Sequence, residues 1–159
     1  MKNSPEDTDA IKFRPNVAAI LIRKDGKILI AERTDLKGAW QFPQGGVDKG
    51  ESALEAVKRE LKEEIDVDED LYKIDKEKGG YRYVFPNGNV KWKIYRGQEQ
   101  TYFLCRFKGK DSDICLETAH PEFRNFQWIK PVDFDLKWLP KFKRNVYRKV
   151  LADFFGAGN

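Results

Sequence analysis

Three glutamates stand at positions i, i+3 and i+4 of one segment, as Glu60, Glu63 and Glu64. In an α-helix these positions share a face, because each residue advances by about 100° around the axis. Like charges at this spacing repel one another and disfavour the helix unless something compensates them. Hard divalent cations such as Mg²⁺ or Mn²⁺ prefer oxygen ligands, and phosphate oxygens complete their coordination. The spacing therefore indicates a metal-assisted site for a phosphate-bearing ligand.

An ordinary solvated helix face is the other interpretation of the same glutamates, and most such clusters are of that kind. The apolar residues of the segment weigh against it. They fall within about 80° of one another on a helical wheel and form the predicted core stripe: Leu54, Val57, Leu61 and Ile65. The glutamates are centred about 100° from that stripe, so they border the core instead of opposing it.

The elements that must position these glutamates follow from periodicity and turn signals. A capping box at Ser52 predicts a helix over 52–65, and an amphipathic pattern predicts a second helix over 140–155. Asp25-Gly26 and Asn87-Gly88 are predicted turns between strands. The predicted strands cover 17–22, 27–31, 81–85, 90–95, 101–107, 113–116 and 126–129. This set of elements predicts a mixed α and β protein.

The composition limits the classes of protein to which the chain can belong. Its 159 residues are 40% hydrophobic and 35% charged, which suits one folded domain and excludes disorder over most of the chain. No apolar run approaches the roughly 18 residues of a membrane helix, and the polar N-terminus does not resemble a signal peptide. Two cysteines are too few for a disulfide framework or a structural zinc site. We expect a loose arm over 1–12, a single domain over 13–159, a cytoplasmic location and no membrane partner, and no obligatory protein partner is indicated.

The two halves of the chain carry opposite net charge. Residues 1–71 hold 12 Lys and Arg against 16 Asp and Glu, whereas residues 72–159 hold 18 against 10. Ordinary surface charge is one interpretation of this difference. The other is an acidic metal-binding cluster that faces a basic surface for a polyanion.

A longer pattern surrounds the glutamates. It consists of Gly45, Glu51, Arg59, Glu60, Leu61, Glu63, Glu64 and Val67, with five residues after the glycine and seven before the arginine. This pattern resembles the Nudix box, a loop–helix–loop motif, and the resemblance implies an α/β fold in which an α/β/α sandwich surrounds a mixed β-sheet. The chain departs from the box at Asp66, where the family has Gly. Gly suits the left-handed residue that ends a helix, and Asp tolerates that conformation at a modest cost.

The resemblance implies a role for each polar position of the box. The implied metal ligands are Gly45, Glu60, Glu63 and Glu64. They would bind catalytic Mg²⁺, with Mn²⁺ as an alternative and two or more ions present together with substrate. Glu51 would support the loop, with support of the metals as a second role left open, and Arg59 would orient the ligands without being one. The implied reaction is attack of water on a phosphoanhydride, in which metal lowers the pKa of the water and a carboxylate removes its proton.

Further segments of the chain resemble one particular branch of the same family. They are 14–17, 40–46, 95–98, 121–123 and 142–147. Together they resemble the bacterial RNA pyrophosphohydrolases, which share a branch with the asymmetric diadenosine tetraphosphate hydrolases. Glu122 matches a family glutamate that adds a distal metal ligand and is implied in proton transfer. Taken alone, Glu122 would be an ordinary surface acid.

The same resemblance implies a set of substrate contacts. The implied positions are Arg14, Arg33, Gln44, Tyr83, Phe142, Lys143 and Arg144. RNA-acting relatives place a base-stacking aromatic at the position of Phe142, and dinucleotide-acting relatives place one at that of Tyr83. The sequence pattern alone favours a core role for both rings, since Phe142 begins an apolar stripe and Tyr83 lies in an aromatic strand. The basic run over 141–149 is either a solvated helix face, a phosphate track, or both.

The resemblance implies three functions, of which the first is favoured. It is an Mg²⁺-dependent RNA 5′-pyrophosphohydrolase that converts a 5′-triphosphate end to a monophosphate. The second is hydrolysis of dinucleoside polyphosphates or (d)NTPs, which the same metal site would perform. The third is a non-catalytic domain that binds nucleotide or RNA, and the retained box glutamates weigh against it. The implied partners are RNA 5′ ends or nucleoside polyphosphates.

Overall fold

A mixed β-sheet lies between two α-helices. The structure, a computed structural model, describes residues 12–86 and 95–156. Its strands are β1 (Phe13–Ile22), β2 (Ile28–Arg33), β3 (Trp40–Gln41), β4 (Gln44–Gly46), β5 (Tyr72–Val84), β6 (Gly97–Phe107) and β7 (Phe123–Ile129). The described helices are α1 (Ala53–Ile65) and α2 (Lys141–Phe155), and short 3₁₀ helices lie at Glu69–Leu71, Asp111–Asp113, Pro131–Asp133 and Leu136–Trp138. The predicted α/β/α sandwich is confirmed.

The centre of the sheet is the parallel pair β1 and β6, which stay in register from Phe13 opposite Gly97 to Ile22 opposite Arg106. All other strand pairs are antiparallel. The second edge of β1 is divided, because β4 pairs with its first half and β2 with its last residue. This division brings the glycines of β4 into the sheet beside α1, where α1 and β4 are in contact.

The first layer packs α1 against one face of the sheet. Val57, Leu61 and Ile65 are at most 1% exposed and belong to one buried cluster with β1 and β6, as predicted. Leu54, however, is 40% exposed, so its predicted place in the core stripe is wrong. Ala56 is fully buried instead.

The buried face of α1 is therefore turned toward the glutamates by roughly 60° relative to the predicted core stripe. This angle is smaller than the roughly 100° between successive helix residues. Glu60 and Glu64 therefore lie within the buried face, at 9% and 7% exposure, and do not merely border it. Glu63 stays on the exposed side, with 58% of its side chain accessible.

The second layer packs α2 against the opposite face. Val146, Tyr147 and Val150 are its buried residues, and Tyr147 stacks on Phe42 with 5.1 Å between ring centroids. The predicted bounds of this helix are confirmed, with Pro140 at its N-cap. In the described ranges, no helix is long and apolar enough to cross a membrane.

Local signals account for the ends of α1. Ser52 and Glu55 form the predicted capping box, and Asp66 ends the helix in the left-handed conformation at φ 58° and ψ 39°. The strand predicted over 113–116 is wrong, because the Asp113 carboxylate accepts from the backbone N–H of Lys110 and closes a 3₁₀ turn there. Residues 1–11 of the predicted arm over 1–12 lie outside the described residues, as do the predicted turn at Asn87-Gly88 and the predicted strand residues 90–94.

Candidate active site

Arg59 ties the loop after β4 to α1. Its Nε and Nη2 donate to the two carboxylate oxygens of Glu51 at 2.7 and 2.9 Å, and Nη2 also donates to the carbonyl of Gly46 at 2.8 Å. The backbone N–H of Asp48 adds a further bond to Glu51 at 2.9 Å. These donors hold the pKa of Glu51 down at about 2, so Glu51 stays ionised and keeps the loop in place.

The third nitrogen of the same guanidinium donates hydrogen bonds to two residues of the glutamate cluster. Arg59 Nη1 donates to Glu60 at 2.7 Å and to Glu63 at 3.2 Å. Glu60 and Glu64 lie close enough for each carboxyl group to affect the pKa of the other. Glu64 also accepts the backbone N–H of Gln44 at 3.2 Å.

Burial raises the pKa of Glu60, and it raises the pKa of Glu64 more strongly because the charges of Glu60 and Glu122 add to it. The two buried carboxyl groups therefore share a proton when no other cation neutralises them. This is the electrostatic situation that a divalent cation would relieve, since it replaces the proton and carries more charge.

Gly45 has no room for a side chain. A Cβ built on it would lie 2.1 Å from the carboxyl carbon of Glu60 and 2.2 to 2.4 Å from its oxygens. A Cβ on Gly46 would lie 2.2 Å from the guanidinium of Arg14. The two glycines therefore allow a carboxylate and a guanidinium to approach opposite faces of the short strand β4.

The glutamates open onto a space that we call the carboxylate cavity, with a volume of about 750 Å³. The acidic residues that line it are Glu60, Glu63, Glu64, Asp66, Glu117 and Glu122. Glu122 comes from the loop before β7, which is anchored where its carbonyl accepts the N–H of Thr34 at 2.9 Å. The fold thus brings the four predicted carboxylate ligands to one cavity.

The donor set of this cavity fits a hard cation. Four of its six acidic residues are the predicted ligands, and two of these four, Glu60 and Glu64, are buried. The Thr118 hydroxyl at its wall is buried without a hydrogen-bond partner in the described part of the chain. Across residues 12–86 and 95–156, no group of three His, Cys, Asp or Glu residues converges closely enough to hold a metal ion alone. Mg²⁺ characteristically uses one or two carboxylates together with waters and substrate phosphates, so it does not require such a cage.

A second space, which we call the aromatic cleft, adjoins the first and has a volume of about 270 Å³. Tyr83 and Phe142 form its walls with 5.4 Å between ring centroids, and Lys143 Nζ lies 5.7 Å from the centre of the Tyr83 ring. Arg33 and Gln44 also line it. Arg33 is bound by Asp35 at 2.6 Å, which compensates part of its charge.

Two predicted substrate residues do not line either space. Arg14 lies over Gly46, on the other side of β4 from Glu60. Arg144 Nε donates to the carbonyl of Leu139 at 2.9 Å and so holds the turn that precedes α2. Phe142 combines both of its predicted roles, because it packs on the second core cluster and also lines the cleft.

Gln98 is a residue of the cleft that the prediction missed. It is 6% exposed and accepts a hydrogen bond from the Tyr83 hydroxyl. It also stands between Arg14 and Tyr83 in a row of partners across β1, β6 and β5. Strand register places these three residues in one row. The signal for Gln98 in the sequence is its place in segment 95–98, which resembles the RNA pyrophosphohydrolases.

Fold and site together define an α/β sandwich protein with a buried glutamate pair on a helix that follows a glycine-bearing strand. The NUDIX domain model matches residues 12–154. The chain therefore belongs to the NUDIX domain family.

Individual relatives extend this likeness over nearly the whole chain. The RNA pyrophosphohydrolase of Helicobacter pylori is 47% identical over 149 residues, which cover 90% of this chain and 94% of the relative. The RNA pyrophosphohydrolase of Roseobacter denitrificans is 42% identical over 156 residues, covering 95% and 97%. Among solved structures, a Caenorhabditis elegans Ap4A hydrolase in a binary complex matches with a TM-score of 0.61 at 22% identity, covering 89% of this chain and 98% of that one, and supports the fold. Hydrolases of this family generally need a divalent cation such as Mg²⁺.

Proposed function

We propose that the protein is an Mg²⁺-dependent RNA 5′-pyrophosphohydrolase, which converts a 5′-triphosphate end to a 5′-monophosphate. One observation supports this most directly: Glu64 and Glu122 line both the carboxylate cavity and the aromatic cleft. A nucleotide whose base lies in the cleft would therefore place its phosphates beside the glutamates. The names of relatives at 39 to 47% identity support the same substrate.

The proposed metal ligands are Glu60, Glu63, Glu64 and Glu122, with the backbone of Gly45. Two or more ions would bind together with substrate, and Mn²⁺ would substitute for Mg²⁺. When bound, a divalent cation lowers the pKa of a coordinated water and neutralises charge on the cleaved phosphoanhydride. Arg59 holds Glu60 and Glu63 from one side, which keeps their free oxygens directed into the cavity.

Proton transfer is proposed for the carboxylates that face the reacting water. Glu64 and Glu122 are the candidates, because both lie where the two spaces meet. Glu122 is exposed, whereas Glu64 is buried. An exposed base returns its proton to solvent readily, so Glu122 suits repeated turnover, and Glu64 suits a fixed ligand.

Recognition of the substrate is proposed for the cleft. The rings of Tyr83 and Phe142 offer apolar surface for the first base, and Lys143 and Arg33 offer charge for phosphates. Stacking needs no particular base, which suits single-stranded RNA ends of varied sequence. Arg14 would act through its position over Gly46 and would not contact the base.

Hydrolysis of dinucleoside polyphosphates or (d)NTPs is the second candidate. The volume of the cleft, about 270 Å³, supports it, because that space takes one nucleoside and requires no longer chain. A purely binding role is less well supported, since the whole set of box glutamates is present. The proposed location is the cytoplasm, where the two free cysteines of the described chain would stay reduced.

The test is a parallel assay in Mg²⁺ with 5′-triphosphorylated RNA, diadenosine tetraphosphate and dGTP. We expect kcat/KM for RNA to exceed that for the two small substrates. Glu64→Gln should lower RNA turnover at least about a hundredfold while the fold stays intact, because one buried ligand is removed. Glu69→Gln is the matched control, since Glu69 lies outside both spaces and pairs with Lys58.

Two results would contradict the proposal. Preference for the small substrates would assign the protein to nucleotide hydrolysis. Full activity in a folded Glu64→Gln would remove the glutamate cluster from the chemistry.

A further inference from the structure

We propose that a basic cavity at the far end of α2 binds the RNA chain downstream of its 5′ end. This inference rests on the proposed function for its substrate class. The basic cavity has a volume of about 460 Å³ and lies where β1 and β6 end and β5 begins, against the last residues of α2. None of its lining residues belongs to the carboxylate cavity or the aromatic cleft.

The basic cavity concentrates positive charge. Its cations are Arg23, Lys24, Lys73, Arg106 and Lys108, and its one acidic residue is Asp75. A neighbouring space of about 520 Å³ shares three of these cations and adds Lys110, together with two acidic residues, Asp25 and Asp111. In contrast, the aromatic cleft sets two cations, Arg33 and Lys143, against two glutamates.

Only part of this charge is neutralised within the protein. Arg106 pairs with Asp75 at 3.2 Å, and Arg23 pairs with Asp25 at 2.6 Å. The exposed side chains of Lys24, Lys73 and Lys108 make no ion pair with any residue in the ranges 12–86 and 95–156. These three lysines are therefore available to a polyanion.

Strand register adds an electrostatic cost at the same place. Lys73 and Arg106 stand directly opposite each other on β5 and β6. Like charges in such cross-strand positions are destabilising. Asp75 offsets part of this repulsion through its ion pair with Arg106, and a phosphate bound beside Lys73 would relieve the rest.

Aromatic rings accompany these cations. Phe154 and Phe155 line the basic cavity, half-buried, with 6.5 Å between their ring centroids. Phe107 also lines the cavity, but it is only 6% exposed and stacks on Trp128 with 5.7 Å between ring centroids, so it forms part of the wall and does not stack with a base. Cations interleaved with aromatic rings are what single-stranded nucleic acid requires, because the phosphates take the charge and the bases stack.

The helix α2 links the basic cavity to the aromatic cleft. Phe142 in its first turn lines the cleft, and Phe154 near its end lines the basic cavity. Twelve residues separate them, which is about 18 Å at 1.5 Å per residue. Arg148 and Lys149 lie exposed on the same helix between the two. An RNA of several nucleotides would reach both places, whereas a nucleoside triphosphate held in the cleft would not.

The experiment compares short with long substrate. The triple variant Lys24→Ala, Lys73→Ala, Lys108→Ala removes the unpaired lysines, all of which are exposed. On a 5′-triphosphorylated 20-mer we expect kcat/KM to fall roughly tenfold. On a triphosphorylated dinucleotide it should stay unchanged, because that substrate ends within the cleft.

Binding supplies a readout that does not depend on catalysis. With a 5′-hydroxyl single-stranded 20-mer, fluorescence anisotropy against salt should show a slope reduced by about 2, since each lost phosphate contact removes about 0.7. The matched control is Lys49→Ala, Lys130→Ala, Lys137→Ala, which removes equal charge from exposed positions outside the basic cavity.

The outcomes separate this site from the proposed function. Equal losses in the control variant, or no loss in the test variant, would overturn the basic cavity as a binding site. A reduced salt slope in a protein that hydrolyses only small nucleotides would retain the cavity as an RNA-binding site and contradict the proposed function alone.

Discussion

The carboxylate cavity and the aromatic cleft share Glu64 and Glu122 in their walls, but the other side chains of the two spaces interact in different ways. The cavity gathers like charges: Glu60 and Glu64 are both buried, the guanidinium of Arg59 donates to Glu60, and the backbone N–H of Gln44 donates to Glu64. The cleft gathers rings that also pack the second core, where Phe142 contacts Tyr83 and Tyr83 contacts Phe85. Repulsion between the buried carboxylates therefore destabilises the folded protein at the carboxylate cavity. The aromatic cleft, in contrast, is stabilised by the same packing that holds the sheet to α2.

This difference indicates how each region should respond to change. A site that depends on converging charges loses its function when one atom moves, because metal and phosphate geometry is strict. A site made of packed rings loses affinity in proportion to the surface removed. Substitutions in the cavity should thus act on kcat, and those in the cleft should act on KM.

Gly45→Ala should give the largest effect. Its Cβ would overlap the Glu60 carboxyl group at 2.1 Å, so β4 or that glutamate must move. A displacement of about 1 Å at a reacting centre costs on the order of a hundredfold in rate. We expect kcat to fall by that factor or more, measured with triphosphorylated RNA at saturating Mg²⁺.

Gly46→Ala is the neighbouring control. Its Cβ meets the end of the flexible Arg14 side chain, which can swing away. It should therefore retain most of kcat. Equal loss of kcat in the two variants would mean that general disruption of β4 is responsible and that the approach of Glu60 to Gly45 is not.

Phe142→Ala tests the cleft. Loss of one stacking ring costs about 1 to 3 kcal/mol per base, which is roughly 5- to 150-fold in KM for RNA. The chemistry at the glutamates should be unaffected, so kcat should change little. Steady-state kinetics on triphosphorylated RNA measure both constants. A fall in kcat with unchanged KM would show that the ring supports the glutamates through the core and does not bind the base.

The box glutamates of the carboxylate cavity can be predicted because local rules determine them, whereas Glu122 is indicated only by the family resemblance. The i, i+3, i+4 spacing, the capping box at Ser52 and the left-handed Asp66 all lie within one segment, and the structure bears out each local feature. The helical wheel underestimates how deeply Glu60 and Glu64 are buried. The helical wheel placed Leu54 in the core, but the sheet meets α1 through Ala56, and only tertiary packing decides that contact.

The cleft was less predictable, because its residues come from distant elements. Tyr83 and Gln98 meet through the register of β5 with β6, and Phe142 reaches them from α2. No spacing in the sequence encodes that row. Resemblance to relatives identified Tyr83 and Phe142 as candidates, whereas Gln98 was found only in the sheet. The resemblance also indicates Arg144 as a substrate contact, but its Nε donates to the backbone carbonyl of Leu139.

The stored cost of the cavity should be visible as a pH effect on stability. Without metal, the folded protein retains a proton on the Glu60–Glu64 pair above the ordinary carboxyl pKa of 4.5, because burial raises both values. The unfolded chain has lost that proton, so the free energy of unfolding falls as pH rises above 4.5, by about 1.4 kcal/mol per pH unit for one proton. Glu51 acts in the other direction, but its pKa of about 2 confines its contribution to lower pH.

Thermal unfolding in EDTA between pH 5 and 8 measures this slope. Glu64→Gln should flatten it and raise the Tm at pH 8, while Mg²⁺ should stabilise the wild-type protein more at pH 8 than at pH 5. A Tm of the wild-type protein that does not fall with pH would show that the pair is already compensated and that the cavity stores no such cost.

Arg144→Ala should give the smallest effect on activity and so marks the boundary of the cleft. Its Nε supports the carbonyl of Leu139 at 2.9 Å, and it lines neither space. We expect a loss of about 1 kcal/mol in the free energy of unfolding, the usual value of one such bond, with KM for RNA changed less than twofold.

Lys143→Ala is the matched comparison, since Lys143 lines the cleft beside both rings and its loss should raise KM without lowering Tm. Urea unfolding and RNA kinetics on the two variants separate these effects. If Arg144→Ala raised KM as much as Lys143→Ala, the phosphate-binding surface would have to extend past the cleft to the turn before α2, and the division between binding and structural cations on this helix would be wrong.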